Sequence, residues 1–233
     1  MQDLTTREPC IGVVAGAGPD AGVTFWRQVL AASRWRQGET YRGDLDAPRV
    51  RVISEPTLGY VTDLDANRGR LQKTLSDILS ELHATCHTIV VACHALQGLA
   101  KDVASDEIGQ KLVLLPDVVC DFVRKEDIRS VGLLGAPSIS ASAERSPYRA
   151  LWHVAEVEKP KDPDAVMALI LEAKRIGASH PRVLKQLSSM ISAYEADTVL
   201  LACTDFSGLD LTVDGKTIVD VLELAADVVT AAN

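Results

Sequence analysis

The chain has 233 residues and a formal net charge of −8 at pH 7, with 47% hydrophobic and 24% charged residues. Its acidic residues are scattered, and a duplex binder needs a concentrated basic face, so this balance argues against a nucleic-acid partner. No apolar stretch approaches the roughly 20 residues of a membrane span, and residues 1–8 lack a signal-peptide pattern. We therefore expect a cytoplasmic protein with no membrane association, whose five cysteines are reduced thiols.

In the first half of the chain, short apolar runs rich in β-branched residues alternate with stretches whose apolar residues recur at helical spacing. The predicted strands are residues 11–15, 50–53, 89–92 and 112–115. The predicted helices are residues 20–34, 67–83 and 116–123.

The second half shows the same alternation. The predicted strands are residues 131–135, 198–202 and 217–219. The predicted helices are residues 163–176, 182–194 and 221–231. Strands that alternate with helices predict right-handed βαβ crossovers and a parallel sheet in each half.

Parts of the sequence occur twice. Residues 88–93, TIVVAC, return as residues 198–203, TVLLAC, and residues 11–14 match residues 131–134. A period this long excludes a solenoid and favours a duplicated domain. The predicted fold class is α/β, with two similar, pseudo-duplicated domains, each a parallel sheet flanked by helices, and the active site in the cleft between them. The predicted domains are residues 1–115 plus 221–233 and residues 116–220.

Cys93 and Cys203 are the candidate catalytic residues, because each ends one copy of the repeated strand. Ligands bind beyond the carboxyl ends of parallel strands, so the two thiols are expected to face each other across one cleft. That arrangement suits removal of a proton from one face of a carbon and its return on the other face. Each cysteine also precedes a predicted helix start, where the helix dipole favours the thiolate.

The remaining cysteines, Cys10, Cys86 and Cys120, lie in or beside apolar segments and are predicted to be structural. A shared metal site of Cys86 and Cys93 with their following histidines is rejected. Seven positions along a strand span roughly 20 Å, whereas zinc–ligand bonds are about 2 Å. We expect no metal.

The turn after the first strand contains Gly16, Ala17 and Gly18, followed by Pro19. Its backbone amides are suited to an anion such as a carboxylate. A dinucleotide fingerprint is a rival interpretation: the strict GxGxxG pattern fails at Ala21, although the looser form that admits alanine matches. No acidic residue stands at a strand end at the distance expected for the ribose contact, which makes this rival the weaker one. A tight strand–helix turn without a ligand is the third interpretation.

Four motifs, in order, resemble the Asp/Glu/hydantoin racemase superfamily, and aspartate racemase most closely. Residues 11–19 resemble the family's opening segment, and residues 131–135 resemble its Gly-Leu-Leu-Ala-Thr strand. Residues 92–95, ACHA, stand where the family has its first Cys-Asn-Thr, and residues 202–205, ACTD, stand where it has Gly-Cys-Thr-Glu. The resemblance extends from residue 11 to about residue 220.

The resemblance implies an amino-acid racemase or epimerase that works without pyridoxal phosphate or any other cofactor, usually as a homodimer. Its partner is a small carboxylate-bearing substrate, an amino acid or an analogue. Cys93 and Cys203 are the implied catalytic bases. The implied substrate-binding residues are Gly16, Ala17, Gly18, His94, Ala95, Ala136, Ser138, Thr204, Asp205 and Arg175.

Some of these roles stay open. His94 either assists proton transfer or forms part of the pocket wall. Asp205 either caps its helix or orients the substrate ammonium group. The family's basic residue in the second half corresponds to Lys174 or Arg175, since the alignment there is uncertain.

Departures from the family predict a changed substrate. Aspartate-specific members hold the distal carboxylate with an arginine shortly after the second strand, and the best-matching position here is Val61. His94 and Ala95 replace Asn-Thr, and Ala136 and Ser138 stand in the segment that replaces the family's threonines. A buried carboxylate without a charged partner is costly, so we expect a neutral or larger apolar side chain, near Val61, Leu58 and Tyr60. The nearby candidates to replace the missing arginine are Arg49, Arg51, Arg68 and Arg70.

Two alternatives remain. The first is another reaction of the same superfamily, by a hydantoin racemase or a maleate-type cis–trans isomerase. The second is a catalytically silent binding protein that kept the cleft and lost turnover.

Overall fold

Two four-stranded parallel sheets form the framework of the protein. The computed structural model describes residues 9–140, 144 and 146–231. The first sheet has the order β2-β1-β3-β4, and the second has the equivalent order β6-β5-β7-β8. The strands are β1 Cys10–Ala15, β2 Arg49–Ser54, β3 Thr88–Val91, β4 Leu112–Val113, β5 Ser130–Gly135, β6 Glu156–Glu158, β7 Thr198–Ala202 and β8 Thr217–Asp220.

Helices cover these sheets. The α-helices in the described part of the chain are α1 Ala21–Gln37, α2 Leu64–His83, α3 Gln97–Val103, α4 Asp106–Gly109, α5 Leu115–Lys125, α6 Pro137–Ser140, α7 Pro163–Ile176, α8 Pro181–Ser192 and α9 Val221–Ala231. Short 3₁₀ helices occupy Gly38–Thr40, Pro56–Asp63, His94–Leu96, Arg149–His153 and Thr204–Phe206. The predicted α/β fold with two similar halves is confirmed. Within these helices, none has both the length and the hydropathy of a membrane span.

Local sequence signals explain the ends of the helices that matter for the site. The Asp63 carboxylate accepts a hydrogen bond from the Ala66 N–H, so α2 begins earlier than the predicted residue 67. The Asp162 carboxylate accepts from the Ala165 N–H at 2.9 Å, and Pro163 supplies the preset φ of a first helical turn. The predicted strand 112–115 is shorter in the structure, since α5 already begins at Leu115.

The inner strands carry the apolar side chains that hold the two halves together. The inner strands β1, β3, β5 and β7 are almost completely buried, whereas the edge strand β2 is largely exposed. One hydrophobic cluster contains side chains from β1 and β5 together with α1, α5 and α9. The halves therefore share this cluster, and each half has a further cluster of its own.

The last helix returns to the first half. Arg36 Nη2 of α1 donates a hydrogen bond to the Asp227 carbonyl at 2.7 Å, and Gln28 Nε2 donates to Asp220 Oδ2 at 2.7 Å. The Arg36–Asp227 contact agrees with the division into residues 1–115 plus 221–233 and residues 116–220, which stays a prediction, whereas the Gln28–Asp220 contact runs between its two parts. Residues 1–8, 141–143, 145, 232 and 233 of that division lie outside the described residues.

Candidate active site

A cavity of about 820 Å³ opens beyond the carboxyl ends of the inner strands and is lined by residues from both halves of the chain. The predicted site residues that line it are Ala17, Cys93, His94, Ala95, Ala136, Ser138, Cys203, Thr204 and Asp205. The repeat in the sequence therefore corresponds to a repeat in space, in which both halves contribute the end of an inner strand to one cavity.

Cys93 and Cys203 have the same local setting. Each follows an inner strand and directly precedes a 3₁₀ helix, with φ −158° and ψ 121° at Cys93 and φ −144° and ψ 119° at Cys203. Their exposed fractions are 9% and 8%. The extended conformation at a strand end places each thiol at the cavity wall, and the N–H groups of the following turn lie next to it.

Both thiols are harder to ionise than free cysteine. Burial raises the pKa of Cys93, and the backbone N–H of Leu96 and the charge of Lys174 offset part of that rise. Burial raises the pKa of Cys203 well above its usual value, and the nearby Asp205 carboxylate raises it further. Desolvation outweighs the favourable contribution expected from the helix starts, although the N–H groups of Leu96 and Ala95 do lower the pKa of Cys93.

Lys174 forms an ion pair beside Cys203 and a hydrogen bond to the first half of the chain. Lys174 Nζ of α7 lies 2.7 Å from Asp205 Oδ2 and donates a second hydrogen bond to the Ala17 carbonyl at 2.7 Å. Asp205 Oδ2 also accepts from Cys203 Sγ at 3.5 Å. Asp205 does not cap its 3₁₀ helix, so the capping interpretation is wrong. The pair joins the turn after β1 to the second half at the cavity wall.

Lys174, rather than the predicted Arg175, is the basic residue at the cavity. Arg175 is exposed and does not line the cavity. The reason is the helical period, which places Met167, Ile170 and Lys174 on one face of α7 and turns the next residue toward solvent.

Gly16 and Gly18 do not line the cavity either, but they shape its edge. Gly16 has φ +109°, and a Cβ there would stand 2.3 Å from the Glu55 carbonyl oxygen. Glycine at this position is therefore required by the conformation of the turn. A Cβ on Gly18 would stand 2.6 Å from Asp205 Oδ1. Gly18 therefore leaves the space that the Asp205 carboxylate occupies.

His94 is fixed in the cavity wall by a residue that the sequence did not indicate. Its Nδ1 lies 2.6 Å from the hydroxyl of Tyr148, and the two rings stack with centroids 5.7 Å apart. Both residues are buried, with exposed fractions of 2% and 0%. Burial lowers the pKa of His94 to about 3, so the imidazole is neutral at pH 7. This favours the wall interpretation over proton transfer, which needs a pKa near the working pH.

The other cysteines lie away from the cavity. Cys10 and Cys86 are buried with their sulfur atoms 3.6 Å apart at the opposite end of the first sheet, and Cys120 is buried on α5. No group of three or more histidine, cysteine, aspartate or glutamate side chains suited to a metal ion occurs among the described residues.

Of the four arginines considered near the second strand, Arg68 lines the cavity. The guanidinium of Arg70 lies over the Tyr60 ring at 4.3 Å, and Arg51 Nη1 donates to Thr85 Oγ1. Of the residues expected near the substrate side chain, Val61 lines the cavity, whereas Leu58 is a buried core residue and Tyr60 is half exposed.

The structure is similar to solved racemases over nearly its whole length. Aspartate racemase from Picrophilus torridus superimposes with a TM-score of 0.77 at 19% identity, covering 96% of this chain and 94% of that one. An aspartate racemase homologue from Pyrococcus horikoshii gives a TM-score of 0.68 at 18% identity, covering 97% and 100% of the two chains. The chain has the fold of the aspartate and glutamate racemases. Glutamate racemase from Francisella tularensis, in complex with D-glutamate, shares this racemase fold with a TM-score of 0.65 at 15% identity, covering 97% of this chain and 81% of that one.

The racemase fold is thus shared at low sequence identity. No family model and no curated protein matches the sequence. The resemblance read from the four motifs is confirmed at the level of the fold, and the reaction and the substrate have to be argued from the site.

Proposed function

We propose that the protein is a cofactor-independent amino-acid racemase or epimerase in which Cys93 and Cys203 exchange a proton with the two faces of Cα. The observation that carries this proposal is the pair of thiols at equivalent strand ends in one cavity, within a racemase fold. The proposal includes a homodimer in the cytoplasm, as the sequence analysis expects.

The reaction needs one thiolate and one thiol. In the forward direction, the Cys93 thiolate removes the α-proton, and the electron pair left on carbon is delocalised into the substrate carboxylate. The Cys203 thiol then donates its proton to the opposite face, which leaves Cys93 protonated and Cys203 as the thiolate. The reverse reaction begins from that state, so no external acid or base is consumed.

The surroundings of the two thiols decide which of them ionises more easily. Burial raises the pKa of both thiols. The charge of Asp205 is a major further cause at Cys203, whose thiol also donates a hydrogen bond to that carboxylate, and only a minor cause at Cys93. Cys93 has the N–H groups of Leu96 and Ala95 beside it, which lower its pKa. Cys93 is therefore the easier thiol to ionise, and Cys203 is the thiol that stays protonated until the carbanion has formed.

The substrate carboxylate is assigned to the N–H groups of the turns that follow the two cysteines. Thr204 and Ala95 line the cavity at these turns, and backbone donors there stabilise negative charge that builds up in the carbanion. The aspartate specificity of the resembling enzymes is not carried over, because Val61 stands in place of the arginine expected to grip a distal carboxylate.

Proton NMR in D₂O tests the proposal. The protein is incubated with individual L- and D-amino acids, and loss of the α-proton signal and formation of the other enantiomer are followed. We expect both in the wild type, and loss of racemisation in Cys93→Ser and in Cys203→Ser. Cys120→Ser is the matched control, because that cysteine is buried outside the cavity.

If no amino acid exchanges its α-proton, the racemase proposal is wrong. Hydantoins and maleate are then the next substrates to test. Ligand binding without turnover of any of these compounds would identify a silent binding protein.

A further inference from the structure

The cavity contains an apolar wall made by both halves of the chain. Val61 of the 3₁₀ helix Pro56–Asp63 and Leu64 at the start of α2 line it from the first half. Met167 and Ile170 of α7 line it from the second half. The members of each pair are three residues apart, so each pair presents neighbouring side chains. We refer to these four residues as the apolar clamp.

The charges around the cavity do not suit a second carboxylate. The cations that line it, among the described residues, are Lys174 and Arg68. Lys174 is already engaged by Asp205 and the Ala17 carbonyl at 2.7 Å each. Arg68 is half exposed and lies 3.9 Å from Asp65. A distal carboxylate would have to lose water without gaining a free, buried cationic partner.

The acidic lining strengthens this argument. Asp63 and Asp65 line the cavity close to Val61 in sequence, at the segment where the resembling enzymes are expected to hold a cation, and Asp205 lines it beside Cys203. The acidic side chains in the lining thus outnumber the basic ones. Exposed acids are screened by water, so they disfavour a carboxylate without forming a strong site for a cation.

The size of the cavity also favours a substrate with a large side chain. A volume of about 820 Å³ falls in the upper part of the range for drug-sized ligands and far exceeds what an aspartate side chain fills. Met167 adds a flexible thioether that adapts to different apolar shapes. A long side chain would reach the apolar clamp, whereas a methyl group would be too short and would leave the clamp in contact with water.

We propose that the substrate carries a large apolar side chain, which the apolar clamp of Val61, Leu64, Met167 and Ile170 binds. The inference rests on the proposed racemase function and names the substrate class of that same site. It makes the clamp the specificity-determining element of the reaction.

The experiment compares α-proton exchange of matched amino acids in D₂O. Alanine, norvaline and norleucine differ by methylene groups, ornithine replaces the terminal methyl of norleucine by an ammonium group, and glutamate and glutamine differ in one distal charge. Each buried methylene is worth about fourfold in kcat/KM, so norleucine should exceed alanine by tenfold or more. Ornithine and glutamate should fall below norleucine by at least the same factor.

Met167→Gln is the matching variant, because it keeps the length of a partly buried side chain and removes its apolar character. The ratio of kcat/KM for norleucine over alanine should fall about tenfold. Leu171→Gln is the control on the same helix, since Leu171 is 49% exposed and does not line the cavity, and it should leave the ratio as in the wild type.

The outcomes separate the two proposals. Faster exchange of glutamate or aspartate than of norleucine overturns the apolar-substrate inference and leaves the racemase proposal intact. An unchanged ratio in Met167→Gln overturns the role of the clamp. If no amino acid exchanges at all, the racemase proposal fails, and calorimetry decides the specificity: norleucine binding tighter than glutamate supports the clamp, and equal or weaker binding overturns it.

Discussion

Replacing Lys174 by methionine tests the link between the two halves at the cavity. Methionine keeps most of the side-chain length and removes the charge, so the hydrogen bonds to Asp205 and to the Ala17 carbonyl, each 2.7 Å long, are lost. Hydrogen bonds of a charged group contribute about 1.5–3 kcal/mol each. The Lys174 side chain is 23% exposed and Asp205 is 9% exposed, so water recovers part of this loss. We expect a destabilisation of about 2–3 kcal/mol, since the pair is only partly screened.

The assays are thermal unfolding, urea unfolding and the pH dependence of the exchange rate. For a chain of this size the melting temperature should fall by about 5–10 °C. Because the Lys174 charge lowers the pKa of Cys93 and of Cys203, its removal raises both, and activity should shift to higher pH. A double-mutant cycle with Asp205→Asn should give a coupling energy of 1 kcal/mol or more, in rough agreement with a partly buried pair.

Lys73→Met is the control for this reasoning. Lys73 Nζ lies 2.6 Å from Asp77, but the two side chains are 78% and 66% exposed. An exposed pair contributes about 1 kcal/mol or less. Equal destabilisation by the two substitutions, or a pH profile of Lys174→Met that matches the wild type, would refute the argument that burial makes the cavity pair important.

Further predictions concern the turn, the two bases and the buried imidazole. Gly18→Ala should destabilise by about 1–3 kcal/mol and slow exchange, because its Cβ meets the Asp205 carboxylate at 2.6 Å, while Gly98→Ala, which meets nothing within 4 Å, should be neutral or stabilising in the same melting experiment. Cys203→Ala should abolish racemisation yet still exchange the α-proton of one enantiomer with D₂O, and exchange of both enantiomers at equal rates would contradict the two-base mechanism. The pKa of His94 is lowered from 6.5 to about 3, so stability present above pH 6.5 should be lost progressively as the pH falls toward 3. His94→Gln should flatten that decline in urea midpoints, and an equal slope in both proteins would show that another group causes it.

The parts of the fold that the sequence predicts are the buried strands and the long helices. The inner strands are nearly continuous apolar runs because both faces of a parallel sheet are covered. The strand Glu156–Glu158 was not predicted, because it is a three-residue edge strand with glutamate at both ends. The short helices α3 and α4 were not predicted either, because segments of seven and four residues show too little helical periodicity.

The candidate site also contains some residues that the sequence predicts and others that it does not. Cys93 and Cys203 are visible in the sequence because a duplicated strand repeats its last residue. Tyr148 is not visible, because its contact with His94 joins residues 54 positions apart and neither segment carries a periodic signal. Lys174 and Arg175 are adjacent on α7 and point in different directions. The packing of α7 decides which of them faces the cavity, and a short sequence motif does not show how the helix packs.

Burial of both thiols has a consequence for when the proposed reaction starts. Among the residues that line the cavity, acids outnumber bases, and burial raises the pKa of Cys93 and of Cys203. An amino-acid substrate brings an ammonium group into this surplus of negative charge, and its positive charge near a thiol lowers the thiol pKa. The base of the proposed mechanism is then formed by the arrival of its own substrate, and a reactive thiolate is not exposed to water and oxidants between turnovers. The Asp205 carboxylate next to Cys203 is compatible with this mechanism, because it keeps the Cys203 thiol protonated while Cys93 ionises.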